Sequence, residues 1–334
     1  MSQSHRKILF LKTLDEDLAS IHPSNALLLS TLRAQGFTID ERSWLLDKSL
    51  TATTICTYSA VTLIACYEYN NHISLFEKFM KEVVTPAARE NGLRVVNSPE
   101  VLSWNCNKVY LKDLQQDLGI TIPSTIFVDT APGDVPLFNN VIRQYQDGDR
   151  TRTDKFTHGA MVVKPSVSAS ARETYKIPAS DFEAYDSDKV QKDWERTYTY
   201  TRSLSPDAKV MIQGFEAAIG RGEYSVIFLG GEYSHTMLKK PGEGEFVAIE
   251  EQGGTVRVVP DEMVPAEGKE IGRKVVEYVE KKFGVGLGYL RLDGVVRDDG
   301  RFVVIEAEMF EPYVYFDAKG ASEGLMRFCK VLTE

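Results

Sequence analysis

Over its first hundred residues the chain alternates strand-like runs with stretches of helical period. The strand-like runs are 7-KILFLKT-13, 38-TIDERSW-44, 59-SAVTLIACYEY-69 and 93-LRVVNS-98. Between them lie 25-NALLLSTLRAQG-36 and 74-SLFEKFMKEVVTPAARENG-92, each closed by a glycine. This alternation predicts βαβ units, and so a parallel sheet covered by helices. Ser98-Pro99 then reads as a helix cap and first turn, and Gly119 stops the helical pattern of 109-VYLKDLQQDLGI-120.

From about Thr121 the pattern changes to strands with a helix between them: STIFVD, MVVKP, KVMIQGF, EYSVIFLGGEYSHTMLKK, FVAIEEQGGTVRVV, the helix 267-EGKEIGRKVVEYVEKKFG-284, then LGYLRLDGVV and RFVVIEAEMF. Hairpins with Gly-Gly or Asp-Gly turns predict antiparallel sheet, so an α+β half follows an α/β half. The stretch from Asp134 to His158 is polar with little periodicity and reads as a surface loop or a weak helix. There are no repeats.

The run 303-VVIEAEMFEP-312 puts two glutamates inside an apolar strand, where an unpaired carboxylate is costly. Asp299-Gly300 is a strong hairpin signal, and a two-residue turn there pairs Asp298 with Arg301. Counting outward sets Asp293 opposite Glu306 and Arg291 opposite Glu308, all four on one face. Facing acids of this kind should share a proton or bind a cation, and oxygen donors without His or Cys suit Mg²⁺. A register shifted by one, with these carboxylates turned to solvent, is equally compatible with the spacing.

Phosphates need donors. In 161-MVVKPSVSASARET-174 a strand-end lysine precedes a run of small residues whose backbone N–H groups can approach an anion. By alternation His235, Met237 and Lys239 share a face of the strand 232-EYSHTMLKKP-241. The lone histidine and a snorkelling Lys164 are by default structural. No GxxxxGK[ST], HExxH or GxSxG is present, and 284-GVGLG-288 precedes a strand, so it is a helix stop and not a dinucleotide turn.

Composition narrows the partners. The 334 residues carry a formal charge of -9, which argues against nucleic acid and against anionic lipid as partners. An anionic ligand therefore needs a local cluster of bases. The four cysteines show no metal-type spacing and read as reduced thiols of a cytoplasmic protein. The apolar run Ile8 to Leu11 is too short for a signal core, and the uncharged span Ser49 to Tyr67 reads as loop plus buried strand, not a membrane helix.

In order along the chain, 105-NCNK-108, 119-GI-120, 123-PST-125, 162-VVKP-165, 212-IQGFEAAIGRGEYSVIF-228, 234-SHTMLKKP-241, 253-GG-254, 289-YLRLDG-294 and 305-IEAEMFEP-312 resemble the ATP-grasp superfamily. The similarity is to its glutathione-synthetase and ribosomal-protein-glutamate-ligase-like branch, nearest the cycloserine-ligase type. It implies a preATP-grasp α/β domain over residues 1–104, matched by architecture only. An ATP-grasp N-terminal subdomain, the lid, would span 105–205, and a C-terminal subdomain with the metal site 206–334.

The resemblance also implies roles. Lys108 and Lys164 would reach the ATP phosphates, with Ser166, Ser168 and Ser170 in the loop folding over them. Gln213, Gly214 and Phe215 would lie at the adenine and Glu223 at the ribose. Lys239, matching the lysine of the SHxxxKxP stretch, and Arg291, near the transferred phosphoryl group, would be catalytic, and Asp293, Glu306 and Glu308 would hold Mg²⁺ or Mn²⁺. Two departures stand out: Glu308 replaces the asparagine of many members, and Ser and Ala replace a Gly-rich loop. The implied activity is ATP-dependent joining of a carboxylate to an amine through an acylphosphate, on an amino acid or small carboxylic acid, by a protein that could be a homodimer. Ring closure, small-molecule phosphorylation and a catalytically silent nucleotide binder are the alternatives.

Overall fold

The computed structural model describes residues 6–13, 22–148, 159–178, 187–247 and 253–334. It contains three sheets. The first is parallel, with β1 (Lys7–Lys12), β2 (Thr38–Ser43), β3 (Ala60–Ala65) and β4 (Arg94–Val96) in the order β2-β1-β3-β4. Every residue of β3 is buried, as expected for a strand covered on both faces.

Strands β5 (Thr125–Asp129), β6 (Met161–Pro165), β7 (Tyr175–Ile177) and β8 (Lys209–Gly214) form an antiparallel sheet in the order β5-β8-β6-β7. The third sheet orders β11-β10-β9-β12-β13 from β9 (Glu223–Leu229), β10 (Glu232–Lys240), β11 (Thr255–Val258), β12 (Tyr289–Val296) and β13 (Phe302–Glu308), again antiparallel. Gly230 and Gly231 both take positive φ between β9 and β10, which a tight hairpin demands. The parallel-then-antiparallel expectation therefore holds. Of the 246–259 stretch, only Thr255–Val258 is strand, and residues 248–252 lie outside the described ones.

The β12–β13 register is the expected one, reached by a different route. Arg291 faces Glu308 and Asp293 faces Glu306. The turn, however, closes between Arg297 and Arg301, with Gly300 at φ 83°, so the loop has three residues and not two. That displaces the register by one, and a bulge at Ile305 restores it, because Gly294 pairs with Val304 while Asp293 pairs with Glu306.

β13 is an edge strand, and side chains satisfy its outer backbone groups. Asn105 Nδ2 donates to the Ala307 carbonyl (2.7 Å) and its Oδ1 accepts from Met309 N–H (2.6 Å), while Tyr110 Oη accepts from Ala307 N–H at 2.9 Å. Asn97 donates to Tyr289 and Met309 carbonyls, tying the end of β4 to the third sheet. Thus the first residue of NCNK secures the strand that carries the glutamates.

The helices Asp188–Leu204 and Ser322–Thr333, the short helix Ala52–Ile55 and β7 go unread in the sequence. The longer helix buries Asp193, Thr197 and Thr201 beside Val190, Trp194 and Tyr198, so its core stripe is half polar and the apolar period is diluted. Ser322–Thr333 sends Phe328 and Leu332 into one core with Ile8 and Phe10 of β1. In the Asp134–His158 stretch, Phe138–Gly148 is a helix with Phe138 and Ile142 buried, and residues 149–158 lie outside the described ones.

Ser49–Tyr67 contains the short helix Ala52–Ile55 and then β3. Among the described residues no helix is long and apolar enough to cross a membrane. All four cysteines are free thiols.

Candidate active site

A cleft of about 630 Å³ lies where the three sheets meet. Lys12 of β1 lines it, as do Lys164 of β6, Gln213 of β8, and Arg291 and Glu306 of β12 and β13. Of the fourteen residues singled out in the sequence, thirteen line this cleft: Lys108, Lys164, Ser168, Ser170, Gln213, Gly214, Phe215, Glu223, Lys239, Arg291, Asp293, Glu306 and Glu308. Ser166 does not. Its Oγ accepts the Lys209 N–H at 2.9 Å, its own N–H donates to the Lys209 carbonyl at 2.8 Å, and its carbonyl accepts the Lys108 N–H at 2.8 Å, so it is a fully buried splice between strand end and loop.

The floor is a network of paired charges. Arg291 holds Asp293 through Nε and Nη2 at 2.9–3.1 Å and reaches Glu308 at 2.6 Å. Lys239 bridges Asp293 (3.0 Å) and Glu223 (2.5 Å), and Ser225 Oγ donates to Asp293 at 2.6 Å. Burial alone would raise Asp293, but Arg291 and Lys239 outweigh it and hold the carboxyl below its ordinary range. Burial pushes Glu308 the other way, with Glu306 and Asp293 adding to the rise against Arg291.

The opposite wall is basic. Lys108 pairs with Glu306 at 3.0 Å and also donates to the Ser168 carbonyl. Lys164 makes no ion pair among the described residues, and burial lowers it to about 8. Beyond it the loop takes positive φ at Ser170, Ala171 and Glu173 (50°, 52° and 48°), none of them glycine. Such conformations cost on the order of 1–3 kcal/mol each and persist only where neighbours hold them. Here the Lys108 contact and an Arg172–Asn71 hydrogen bond of 2.6 Å do so.

At the far end of β8 the chain passes from the four-stranded sheet to the five-stranded one. Gln213 Nε2 donates to Thr125 Oγ1 (3.0 Å), Gly214 N–H to the Ser124 carbonyl (2.8 Å) and Phe215 N–H to the Ala160 carbonyl (2.9 Å), while Lys176 Nζ lies 3.6 Å from the Phe215 ring centroid. A planar ring system could rest along such a strand. Glu223 faces the cleft but is engaged by Lys239.

Whether the acids suit a divalent ion can be tested on their own chemistry. Among the described residues no group of three His, Cys, Asp or Glu is arranged to hold an ion unaided. The donors are nevertheless oxygens only, and the Glu306 and Glu308 side chains keep 21% and 28% exposure against 4% for Asp293. Mg²⁺ commonly takes one or two carboxylates and completes its shell with phosphate oxygens and water. Glu306 and Glu308 fit that demand, with Asp293 behind them as the anchor of Arg291.

Against known proteins, no family model matches the sequence, and no curated protein matches it. Solved structures do. The crystal structure of D-cycloserine synthetase DcsG superposes with a TM-score of 0.73 at 20% identity over 98% of both chains. The chain has the ATP-grasp fold. A D-alanine–D-alanine ligase from Bacillus anthracis gives 0.62 at 15% identity over 98% of this chain and 94% of that one. The ATP-grasp ligase PsnB, solved with Mg and ADP, gives 0.58 at 15% over 97% and 98%.

Sequence reasoning left the parallel-sheet side of the cleft blank. Lys12, Thr13, His22 and Tyr67 line it from the first ninety residues, as do Glu311, Tyr313 and Tyr315 just after β13. Only 310-FEP-312, an acid between an aromatic residue and a proline, carried a usable signal.

Proposed function

We propose that the protein is an ATP-dependent carboxylate–amine ligase that activates its substrate carboxylate as an acylphosphate and releases ADP and phosphate. The observation that carries this reading is the facing of Lys108 and Lys164 to Glu306 and Glu308 across one cleft, with the Gln213–Phe215 segment also lining it. The ATP-grasp neighbours, two of them ligases solved with ATP or with Mg and ADP, support it.

The division of labour follows from charge. Lys108 and Lys164 are positioned to take the phosphate oxygens, and Gln213, Gly214 and Phe215 the base, with Glu223 within the cleft for the sugar hydroxyls. Arg291 and Lys239, fixed by Asp293, face the point where negative charge develops during phosphoryl transfer. Preorganised cations of this kind contribute on the order of 10²–10³ in rate. Glu306 and Glu308 would hold Mg²⁺, with Mn²⁺ as a substitute, which when bound neutralises phosphate charge. The loop from Ser168 to Ser170 would cover the phosphates and exclude the water that hydrolyses acylphosphates. Residues 1–104, 105–205 and 206–334 would be the front domain, the lid and the metal-bearing half.

Incubation with ATP, Mg²⁺ and a panel of amino acids as both carboxylate and amine donors tests this. ADP, phosphate and an amide are expected, and chelation of the ion should stop turnover. AMP with pyrophosphate would overturn the mechanism, and ADP with a phosphorylated substrate would make the protein a kinase.

A further inference from the structure

Glu311 is the odd carboxylate of the cleft. Every other acid lining it has a partner: Glu216 takes Arg297, Glu223 takes Lys239, Asp293 and Glu308 take Arg291, Glu306 takes Lys108, and Glu68 accepts from Asn71 at 3.3 Å. Among the described residues Glu311 makes neither an ion pair nor a hydrogen bond, yet it faces the same space. Its position after β13 is firm, because Phe310 before it packs edge-on against Tyr69 at 4.2 Å and Pro312 after it is buried. Burial, followed by the Glu308 charge, pushes the Glu311 carboxyl well above its ordinary range against the pull of Arg291 and Lys108, and its influence reaches Cys66 and Tyr67 just after β3.

The surroundings are aromatic. His22 lies 5.3 Å from Tyr67 and 4.3 Å from Tyr313, ring centroid to centroid, and Tyr313 lies 4.3 Å from Tyr315. All four line the cleft. A desolvated carboxylate costs several kcal/mol when unpaired, whereas aromatic faces attract cations. An acid with no cation in contact among the described residues, beside such rings, is therefore complementary to a positive ligand group. Arg291, with its Nη1 donating to the Tyr313 carbonyl at 3.3 Å, stands between this end and the phosphate end.

Resting on the ligase reading above, we infer that Glu311 is the counter-ion for a primary ammonium group on the substrate, walled by His22, Tyr67 and Tyr313. The molecule activated by ATP is then an amino acid or amino-acid derivative with a free amine, and not a plain carboxylic acid. Arg291 lies on the side where the substrate carboxylate must meet the phosphoryl group, so the two ends of one small zwitterion match the two charges.

Isothermal titration calorimetry with a non-hydrolysable ATP analogue and Mg²⁺ present, using amino acids of both hands each beside its des-amino acid, tests the inference. At least one amino acid should bind wild-type protein about tenfold or more tighter than its des-amino counterpart, the size expected for one buried charge-assisted contact. Glu311→Gln should erase that gap while leaving nucleotide affinity unchanged. Without ligand the same variant should unfold at a temperature no lower than wild type, since Glu311 makes no ion pair or hydrogen bond among the described residues and burial favours its neutral form.

Equal binding of the des-amino acids, a gap that survives in Glu311→Gln, or a lowered unfolding temperature would overturn the inference. So would a panel in which no amino acid binds although the nucleotide does, and that outcome leaves the nucleotide reading intact. Failure of the nucleotide itself to bind would instead sink the ligase reading.

Discussion

The two antiparallel sheets that enclose the cleft are built on opposite electrostatic plans. On the five-stranded sheet, Glu223, Lys239, Arg291, Asp293 and Glu308 are locked into one another at 2.5–3.1 Å. On the four-stranded sheet, Lys164 is half-buried without an ion pair among the described residues, and the loop after it is held in left-handed conformations. A charge that is already paired cannot reorganise cheaply, which would suit the proposed phosphoryl transfer, where the surface must hold its shape. A half-buried lysine with no ion pair among the described residues has the opposite property, an open demand for an anion. The difference teaches that one wall is preorganised and the other completes itself on its ligand.

Replacing residues on each wall should therefore separate the two plans. The largest effect is expected for Glu306→Gln, which should lower turnover about 10³-fold, the scale of losing a principal electrostatic contributor. Its thermal unfolding should shift little, because Lys108 keeps the Ser168 carbonyl as acceptor; an unchanged rate would remove the acid face from the chemistry.

Lys164→Met comes next, with roughly 10²-fold weaker nucleotide handling and no loss of thermal stability, since no native pair is broken. Because Lys164 sits near 8, its positive charge is lost as pH rises through that value, so nucleotide affinity in the wild type should fall over the same window and the variant should show no such step. A pH-independent wild-type affinity would place the anion elsewhere.

The smallest effect belongs to the paired wall's periphery. Ser225→Ala removes one 2.6 Å hydrogen bond to Asp293 while Arg291 and Lys239 remain. A stability loss of roughly 1–2 kcal/mol with modest rate change is expected. A rate loss as large as that of Glu306→Gln would show that Asp293 acts directly and is more than an anchor.

Much of this was legible because strands and their alternation are local. The strand bearing Arg291 and Asp293 and the strand bearing Glu306 and Glu308 each announce their face by period two. Their mutual register was legible only by compensation, since the three-residue turn at Gly300 and the bulge at Ile305 each move it by one residue in opposite senses. The helix Asp188–Leu204 hid because threonines and an aspartate occupy its buried stripe. The parallel-sheet wall hid for another reason: Lys12, His22 and Tyr67 are each unremarkable in sequence and meet Tyr313 only through the packing of β1 and β3 beside the chain leaving β13.

By itself, the order of apolar and polar residues determined the parallel and antiparallel halves, the strand ends that carry lysines and acids, and the caps at Ser98 and Gly119. Those are decided by sterics and burial over a few neighbouring residues. Tertiary structure alone decided which charges meet, that Asp293 is enclosed by Arg291, Lys239 and Ser225 while Glu311 has no partner among the described residues. Pairing depends on distances between residues far apart in the chain, and a few ångströms there separate a satisfied ion pair from a carboxylate that awaits its ligand.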